Sequence, residues 1–240
     1  MEMIQKEKKN MRVLRAAAIA SILFAASGTS VWANPTAAEL DSRIWEANEV
    51  LKELAAIPEQ RVPPDLLRQA KAVAVFPNTV KAGFIMAGQF GRGVILHRNE
   101  ETGKWTAPAF FRISGGSVGF QIGGQASDIV LVITNERGVL GVLENKFTLG
   151  VDGSVAAGPV GRDAEAKTDW QLKASVLSYS RTKGLFAGVA VDGMVINQDR
   201  EANSAYYGAG TEARTILMER KVAPTPEGEK LLATLEKLAA

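Results

Sequence analysis

The segment from Thr36 to Ile57 has the hydrophobic pattern of an amphipathic helix. Thr36 and Glu39 have the spacing of a capping box, in which each side chain accepts a hydrogen bond from the other residue's backbone N–H. Pro58 and the pair Pro63-Pro64 end the segment. Such a helix packs more often on its own core than on a membrane, so we expect core packing. Its apolar positions recur at helical spacing and are Leu40, Ile44, Ala47, Leu51 and Leu54.

The pattern changes to short β-branched and aromatic runs from Val73 to about Ile196. The runs that predict strands are AVAVF, GVILHR, KWTAPAFFRI, SVGFQIG, DIVLVIT, KFTLGV, SVAAG, LKASVLSYS and GLFAGVAVDGMVI. Of the 23 glycines, 21 lie between Gly83 and Gly210, and the apolar alternation continues through them. This density predicts bulges, tight turns and close packing. Ile129 to Ile133 is apolar at every position, which is typical of a central, buried strand.

Helical patterns precede, interrupt and follow the strands. Short helices are predicted from Asp65 to Ala72 and from Glu136 to Asn145, and another in TEARTILMER, after Asp199. Thr225 and Pro226 supply an N-cap and a proline at the first position of a last, leucine-rich helix. Runs of strands bounded by helices favour the α+β class. We predict a glycine-rich, mainly antiparallel β-sheet or partly closed barrel, flanked by N-terminal and C-terminal helices.

The first 33 residues have the pattern of a secretory signal peptide. A basic leader precedes the apolar run AAAIASILFAA from Ala16 to Ala26, which is shorter than the ~20 residues a membrane span needs. Val31-Trp32-Ala33 offers small residues at the two positions that a signal peptidase reads. We expect cleavage after Ala33, export to the periplasm, and a single domain over residues 34–240.

Removal of this segment would change the charge balance. The whole chain has 28 basic and 26 acidic residues. The first 33 residues include five of the basic and two of the acidic ones, which leaves 23 basic and 24 acidic residues. A nucleic-acid partner normally requires a basic excess, so we expect none. The absence of Cys excludes thiolate metal sites and a lipoprotein anchor, so any membrane attachment is expected to be non-covalent.

Ser117 lies in a match to the G-x-S-x-G pattern of serine hydrolases, from Gly115 to Gly119. In the α/β-hydrolase order the histidine comes last, and a helix directly follows the serine. The only histidine, His97, precedes Ser117, and the residues after Ser117 continue as a strand pattern. We therefore interpret the match as accidental and Ser117 as structural.

Patterns for other chemistry are incomplete. The glycines of GQFGRG lack the lysine and the serine or threonine of a P-loop. Three carboxylates between Asp163 and Asp169 are interspersed with cations, which indicates an exposed charged loop and not a metal site. His97 is interpreted as a strand-edge residue. We predict a protein without catalytic residues, cofactor or metal, although carboxylates distant in sequence could still meet in a fold.

The order of the glycine-patterned segments resembles the SYLF domain family. These segments are AVAVFPNTVKAGF, GRGVILHR, GKWTAPAFFRI, GSVGFQIGGQASDIVLVI, KFTLGVDGSVAAGPVGR and YSRTKGLFAGVAVDG. The resemblance runs from about Pro35 to the C terminus. The family occurs in bacterial exported proteins and in eukaryotic proteins of endocytosis and membrane traffic. It implies a non-catalytic lipid-binding module, with phosphoinositide ligands in eukaryotic members and actin binding in yeast ones.

For an exported bacterial member, the resemblance implies anionic phospholipid as the partner, and actin is excluded. The segment Thr36–Ile57 matches the amphipathic helix implicated in membrane contact in eukaryotic members. An interfacial helix on anionic lipid should be rich in Lys and Arg, so we expect binding through a basic loop instead. The polar face of the helix is more acidic than basic and consists of Asp41, Arg43, Glu46, Glu49, Lys52 and Glu53.

The loop YSRTKGLF combines charge with apolar surface. Arg181 and Lys183 flank a turn, and Leu185 and Phe186 follow it. Two cations beside an apolar pair suit a lipid head group above and acyl chains below. The competing interpretation is a β-turn with solvated charges and Phe186 in the core. Other cations that could complete the patch are Lys81, Arg92, Arg112, Arg162 and Lys173.

The sequence therefore predicts an exported, peripherally membrane-associated module that docks reversibly on anionic phospholipid of the cell envelope. One alternative is an envelope scaffold that binds a protein partner, and a less favoured one is a hydrolase. Salt-sensitive membrane binding distinguishes the lipid module from the scaffold, because salt screens exposed charges.

Overall fold

The computed structural model describes residues 34–56, 62–83, 86–118, 123–144, 147–150, 155–159, 174–182, 185–188 and 193–240. All elements below belong to the compact unit Pro35–Ala240. The helices in the described residues are α1 Ala37–Ala56, α2 Pro64–Gln69, α3 Glu136–Leu143, α4 Arg200–Tyr207, α5 Ala213–Leu217 and α6 Pro226–Ala239. The strands are β1 Ala72–Gly83, β2 Met86–His97, β3 Ala109–Val118, β4 Gly123–Ile133, β5 Phe147–Thr148, β6 Val155–Ala157, β7 Val176–Thr182, β8 Leu185–Gly188 and β9 Val195–Gln198.

The described strands form one sheet in the order β5-β9-β3-β2-β1-β4-β7-β6, and β8 pairs with β7. Within the described residues the strand pairs are antiparallel except for β6 with β7. The sheet is curled, and helices flank it at both chain ends. The predicted α+β class and mainly antiparallel, curled sheet are confirmed. The strand from Ile129 to Ile133 lies between β1 and β7 and is fully buried, as its continuous apolar run predicts.

A β-bulge interrupts the central strand β1. Between Val75 and Val80 this strand has one residue more than β2, and between Phe76 and Thr79 one more than β4. Asn78 has a left-handed backbone with φ 47°, and its N–H donates to Asp128 Oδ1 at 2.9 Å. An extra residue shifts the alternation of side chains by one. Thr79 therefore continues the face of Phe76, and Val80 moves to the opposite face.

Helices cover both faces of the sheet. The α1 face, which carries Val73, Val75, Val94 and Val130, packs against α1, α2 and α6. The α3 face, which carries Ala74, Phe76, Ile95 and Leu131, packs against α3 and α5. Neighbouring residues of one strand thus contribute to two separate cores, because side chains alternate between the faces of a strand.

Helices α1, α3 and α6 begin at residues whose side chains cap the helix. Thr36 N–H donates to Glu39 Oε2 at 2.8 Å and Glu39 N–H to Thr36 Oγ1 at 3.3 Å, which completes the predicted capping box. Asn135 accepts from Gly138 N–H at the start of α3, and Thr225 accepts from Gly228 N–H at the start of α6. The apolar side of α1 is buried against the sheet, so core packing of this helix is confirmed.

Several predicted strands are shorter than the apolar runs that suggested them. In KWTAPAFFRI the strand begins only at Ala109, and Trp105 makes one isolated bridge to Arg98. The run GLFAGVAVDGMVI contains two strands, β8 and β9, which lie on opposite sides of the sheet order. An apolar run of this length indicates that the segment is buried. It does not specify where a strand breaks, because the breaks depend on glycines, prolines and pairing partners.

Two glycines of β2 are required by close approach of neighbouring strands. A Cβ at Gly93 would lie 2.0 Å from Val75 O and 2.8 Å from Phe76 Cα, both backbone atoms. A Cβ at Gly91 would lie 2.3 Å from Thr79 Oγ1. Gly88 differs, because no described heavy atom lies within 4 Å of a Cβ built there. The glycine pattern therefore includes both packing glycines and at least one that packing does not require.

We predict that Gly93→Ala lowers the free energy of unfolding by about 2 to 3 kcal/mol, because the added methyl group meets backbone that can move only by distorting the sheet. Gly88→Ala is the matched control in the same strand and should change the free energy by less than about 0.5 kcal/mol. Urea unfolding followed by circular dichroism measures both. Equal effects of the two substitutions would contradict this packing argument.

Candidate functional site

Two antiparallel strand pairs that are consecutive in the chain, β1 with β2 and β7 with β8, meet at the same end of the sheet, where β3 also ends and β4 begins. Gly83 of β1 pairs with Ala87 of β2 and with Gly123 of β4, Val118 at the end of β3 pairs with Met86 of β2, and Thr182 of β7 pairs with Leu185 of β8. Gln125 Nε2 donates to Thr182 Oγ1 at 3.3 Å, which places the end of β7 beside the start of β4. We call this region the hairpin end. It gathers segments that are about 100 residues apart in the sequence.

Helix α1 crosses the α1 face and is fixed to it by polar contacts. Arg43 binds Asp199 at 3.2 Å, Asn78 Nδ2 donates to Glu46 Oε2 at 3.4 Å, and Glu53 pairs with Arg181. These contacts join the helix to the start of α4, to the bulge of β1 and to β7. Their spread along the helix fixes its direction across the sheet.

An apolar pair lies on the α1 face nearer the hairpin end. Val80 and Phe90 are register partners on β1 and β2. They are 50% and 46% exposed. Phe90 precedes the buried Val94 by four residues without a break in the β2–β3 register, so both point to the α1 face. Elsewhere on this face valine and phenylalanine side chains are covered by helices, so this pair is an exposed continuation of the core.

Arg92 adds a cation to the pair. Its guanidinium carbon lies 5.7 Å from the centroid of the Phe90 ring, within cation–π distance. The side chain is exposed, and no carboxylate of the described residues lies within ion-pair distance of it. Val80, Phe90 and Arg92 together are called the Phe90 patch below. A positive charge beside exposed apolar surface suits a partner that is negatively charged above and apolar below.

The neighbouring cation Arg112 is already paired with two carboxylates. It faces Arg92 in the β2–β3 register, but its Nη2 donates to Asp199 Oδ1 at 2.6 Å and to Glu201 Oε2 at 3.2 Å. The hydrogen bond to Asp199 raises the pKa of Arg112. Burial lowers the pKa of Arg43, and the charge of Arg92 lowers it further. Of these three arginines, Arg92 is the one whose charge faces solvent.

Asp199 joins Arg43 and Arg112 and is 1% exposed. Burial alone would raise the pKa of its carboxyl group, but the hydrogen bond and charge of Arg112, with the N–H of Ala202, bring the pKa below its ordinary value. Asp199 is also the N-cap of α4. One carboxylate thus connects α1, β3 and α4.

The structure places Arg181 in a second ion-pair network. Its guanidinium binds Asp128 Oδ2 at 2.6 Å and also pairs with Glu53, and its side chain is 23% exposed. Leu185 and Phe186 lie on β8, where Phe186 is the register partner of Arg181 and Leu185 that of Thr182. Of the positions predicted to bind lipid, Arg181, Leu185 and Phe186 therefore lie at the hairpin end. The predicted positions outside the described residues are Lys183, Arg162 and Lys173.

Sequence reasoning did not identify the Phe90 patch as a unit. Arg92 was one of several cations without an assigned face. Val80 follows Phe76 by four residues, so a regular strand would place both side chains on the same buried face. The bulge reverses that alternation. The signal that could have indicated it is the Pro77-Asn78 pair inside an apolar run, because both residues are unfavourable in a regular strand.

The described residues offer no group of three or more metal-ligating side chains. His97 is 3% exposed, and its Nδ1 and Nε2 lie 3.1 Å from Leu217 O and 3.3 Å from Glu136 Oε1. His97 is the last residue of β2, in line with its predicted place at the strand edge. Its side chain is nevertheless buried, because α3 and α5 cover the end of β2. None of the helices described here is both long and apolar enough to cross a bilayer.

We predict that Asp199→Asn lowers the free energy of unfolding by about 3 kcal/mol at pH 7, because it leaves two arginines without their buried carboxylate. Asn preserves the N-cap. The pKa of Asp199 is lowered in the folded state, so its contribution is present above the unfolded pKa of about 4 and is lost as the pH falls through the folded value. The difference in the free energy of unfolding between the wild type and Asp199→Asn should therefore become smaller below about pH 4.

The matched control for this prediction is Asp65→Asn. Asp65 also pairs with an arginine, Arg68, but it is 74% exposed, and exposed ion pairs contribute about 0.5 kcal/mol. Urea unfolding at several pH values measures both variants. A gap that stays constant down to pH 2 would show that Asp199 stabilises the fold without its charge.

Comparisons with known proteins agree with the resemblance seen in the sequence. Residues 114–238 match the family model Ysc84, described as Las17-binding protein actin regulator. The chain is 39% identical over 184 residues to LAS seventeen-binding protein 3 of Saccharomyces cerevisiae, a match that covers 75% of this chain and 39% of the yeast protein. It is 36% identical over 214 residues to Protein YSC84 of the same species, covering 86% and 45%.

A vertebrate relative is the SH3 domain-containing YSC84-like protein 1 of Xenopus laevis. The chain is 33% identical to it over 210 residues, covering 85% of this chain and 62% of that protein. The chain thus spans about half of the length of the curated relatives that it matches. The family model covers more than half of this chain, including the second half of the sheet and the C-terminal helices. The chain belongs to the Ysc84 family, whose domain is the SYLF domain.

Proposed function

We propose that this protein is a non-catalytic lipid-binding module that docks reversibly on anionic phospholipid through the hairpin end of its sheet. The observation that carries the proposal is the Phe90 patch, in which two large apolar side chains about half exposed stand beside an exposed arginine. A side chain that is half exposed on a face otherwise covered by helices has apolar surface available to a partner.

The chemistry of the patch fits the boundary between head groups and acyl chains. Burying the exposed parts of Phe90 and Val80 in an apolar phase would contribute about 2 kcal/mol. A cation near an anionic surface contributes about 1 kcal/mol. A sum of this size gives weak, reversible docking, and additional contacts would be needed for stable attachment.

The β7–β8 connection is expected to supply those contacts. The sequence directly after β7 has a cation followed by an apolar pair. These residues are Lys183, Leu185 and Phe186. Arg181 is bound by Asp128 and Glu53, so we assign it the role of holding β7 against α1. Of the two cations Arg181 and Lys183, Lys183 is then the one whose charge is expected to reach the lipid.

The location of this activity follows from the predicted signal peptide. We propose that the exported protein works on the periplasmic side of the envelope, as a peripheral protein on anionic phospholipid. The acidic polar side of α1 supports this choice of surface, because Glu46 and Glu53 are already bound to the sheet and its bulge, and α1 is therefore positioned as a support and not as the docking element.

A second candidate function is binding of an envelope protein. It is favoured by the description of the family, which names binding of the protein Las17, and by the yeast relative whose name is LAS seventeen-binding protein 3. In this case the Phe90 patch would be the centre of a protein interface, where an aromatic residue beside an arginine is common. The two candidates differ in their response to lipid vesicles.

We predict that the combined change Val80→Ser and Phe90→Ser weakens binding to vesicles of phosphatidylglycerol about tenfold or more, because it removes the inserted apolar area.

Arg92→Gln should weaken binding to the same vesicles about fivefold at low salt and less at 0.5 M NaCl, where exposed charges are screened. Co-sedimentation of the protein isolated after export measures both, with neutral phosphatidylcholine vesicles for comparison.

Leu140→Ser is the matched control, because Leu140 is also a large apolar side chain, 40% exposed, but lies on α3, beside the other face of the sheet. It should leave vesicle binding unchanged. Wild-type protein that stays in the supernatant with anionic vesicles would refute lipid docking and favour the protein-binding candidate. Binding that is equally weakened by Leu140→Ser would refute the Phe90 patch as the site.

A further inference from the structure

A polar cavity of about 570 Å³ lies at the end of the sheet opposite the hairpins. Ala72 pairs with both His97 and Ile133, so the start of β1 and the ends of β2 and β4 meet at this end. The cavity is formed there by the end of α2, the turn after β2 and the residue after β4. Its volume is within the range of small-molecule sites.

Three cations from separate segments line this cavity. Arg68 comes from α2, Lys71 from the residue before β1, and Arg98 from the residue after β2, whereas Glu100 is the one carboxylate among the described residues that line it. The lining side chains thus carry three positive charges and one negative charge, and Arg68 also pairs with the exposed Asp65 beside the cavity. Convergence of cations with few carboxylates favours an anionic ligand.

Arg98 is held in a fixed orientation. Its Nε donates to Gly103 O at 3.0 Å, its Nη1 donates to Arg68 O, and its guanidinium lies 6.0 Å from the centroid of the Trp105 ring. These partners are carbonyl groups and an aromatic ring, and no described carboxylate pairs with Arg98. Its full charge is therefore uncompensated by any described residue, and the remaining N–H groups are pre-oriented for a ligand.

Lys71 and Glu100 form a pair that a ligand can rearrange. Lys71 Nζ binds Glu100 Oε1, and the two side chains are 33% and 54% exposed. An exposed pair of this kind is weak. An incoming anion can therefore compete for the Lys71 ammonium, while the Glu100 carboxylate opposes its approach. The two residues should affect anion binding in opposite directions.

We propose that this cavity binds a phosphate-class oxyanion, namely a small molecule that carries one or two phosphate groups. Guanidinium and ammonium groups are the side chains that bind phosphate oxygens by charge-assisted hydrogen bonds. The polar lining excludes an acyl chain as the main occupant. A single phosphate would leave most of the volume to water, so a diphosphate or a phosphorylated small molecule fits the space better.

The source of the phosphate can be a free molecule or the head group of a lipid, and position distinguishes them. The cavity and the hairpin end lie at opposite ends of β1. A protein docked on a membrane through the hairpin end therefore presents this cavity to the aqueous side. We expect a free phosphorylated molecule, bound independently of the membrane.

The test is isothermal titration of the exported protein with sodium pyrophosphate at low ionic strength. Lys71→Gln should weaken binding about three- to tenfold, and Glu100→Gln should tighten it about threefold, because it removes the opposing charge and frees Lys71. A damaged fold cannot explain tighter binding, so the second variant keeps the test independent of stability. Higher salt should weaken pyrophosphate binding by the wild type and by both variants, because it screens exposed charges.

Lys230→Gln is the matched control, since Lys230 also pairs with a glutamate, Glu227, on an exposed surface away from the cavity. It should bind pyrophosphate as the wild type does. A second arm uses vesicles that contain phosphatidic acid, whose head group is a phosphate monoester. Vesicle binding that is insensitive to Lys71→Gln supports a free ligand. Vesicle binding that is lost in Lys71→Gln and competed by pyrophosphate supports the same site with a lipid source.

Two outcomes would overturn the site. One is the absence of measurable heat with pyrophosphate together with no effect of Lys71→Gln on vesicles. The other is pyrophosphate binding that is unaffected by both Lys71→Gln and Glu100→Gln, which would place the anion elsewhere. The lipid proposal does not depend on this result, because Val80, Phe90 and Arg92 are not changed in these variants.

Discussion

The bulge in β1 is the constraint on which the surface of this protein depends. Strand β1 is paired on both sides, so its one extra residue changes the alternation relative to both β2 and β4 at the same point. Asp128 stabilises the bulge by accepting the N–H of Asn78. Because of that single residue, Thr79 is buried against Gly91 and Val80 is exposed beside Phe90. A regular strand would have exchanged them, placing a polar residue on the surface and an apolar one in the core.

The neighbouring strand β4 links the bulge to the helices through Asp128. Asp128 binds both the bulge and Arg181, and Arg181 binds Glu53 of α1. At the other end of α1, Arg43 binds Asp199, which also binds Arg112. Two buried or partly buried carboxylates therefore hold the helix at both ends. Removal of one partner from such a network is costly, since the remaining charges stay desolvated.

This arrangement divides the molecule into two ends with different chemistry. The hairpin end has exposed apolar side chains and a cation on an aromatic ring, and the opposite end has a polar cavity with three cations. Between them the two faces of the sheet are buried under helices. The proposed docking surface and the proposed anion site lie at opposite ends of β1, so occupation of one would leave the other accessible.

The sequence by itself determined the α+β class, the starts of the first and last helices, one buried strand and the family. The capping box of Thr36 and Glu39, the proline-initiated last helix and the buried run from Ile129 to Ile133 depend on local hydrogen bonds and local burial, which the residue order specifies. The glycine-patterned segments indicated the SYLF family because their order can be read directly from the sequence. Tertiary structure alone decided which residues share a surface. The exposed position of Val80 depends on a register change between three strands. The ion pair of Arg181 depends on a helix about 130 residues earlier in the chain. The cavity around Arg98 depends on the meeting of α2, β1 and β2. These are contacts between distant segments, and no periodicity within one segment encodes them.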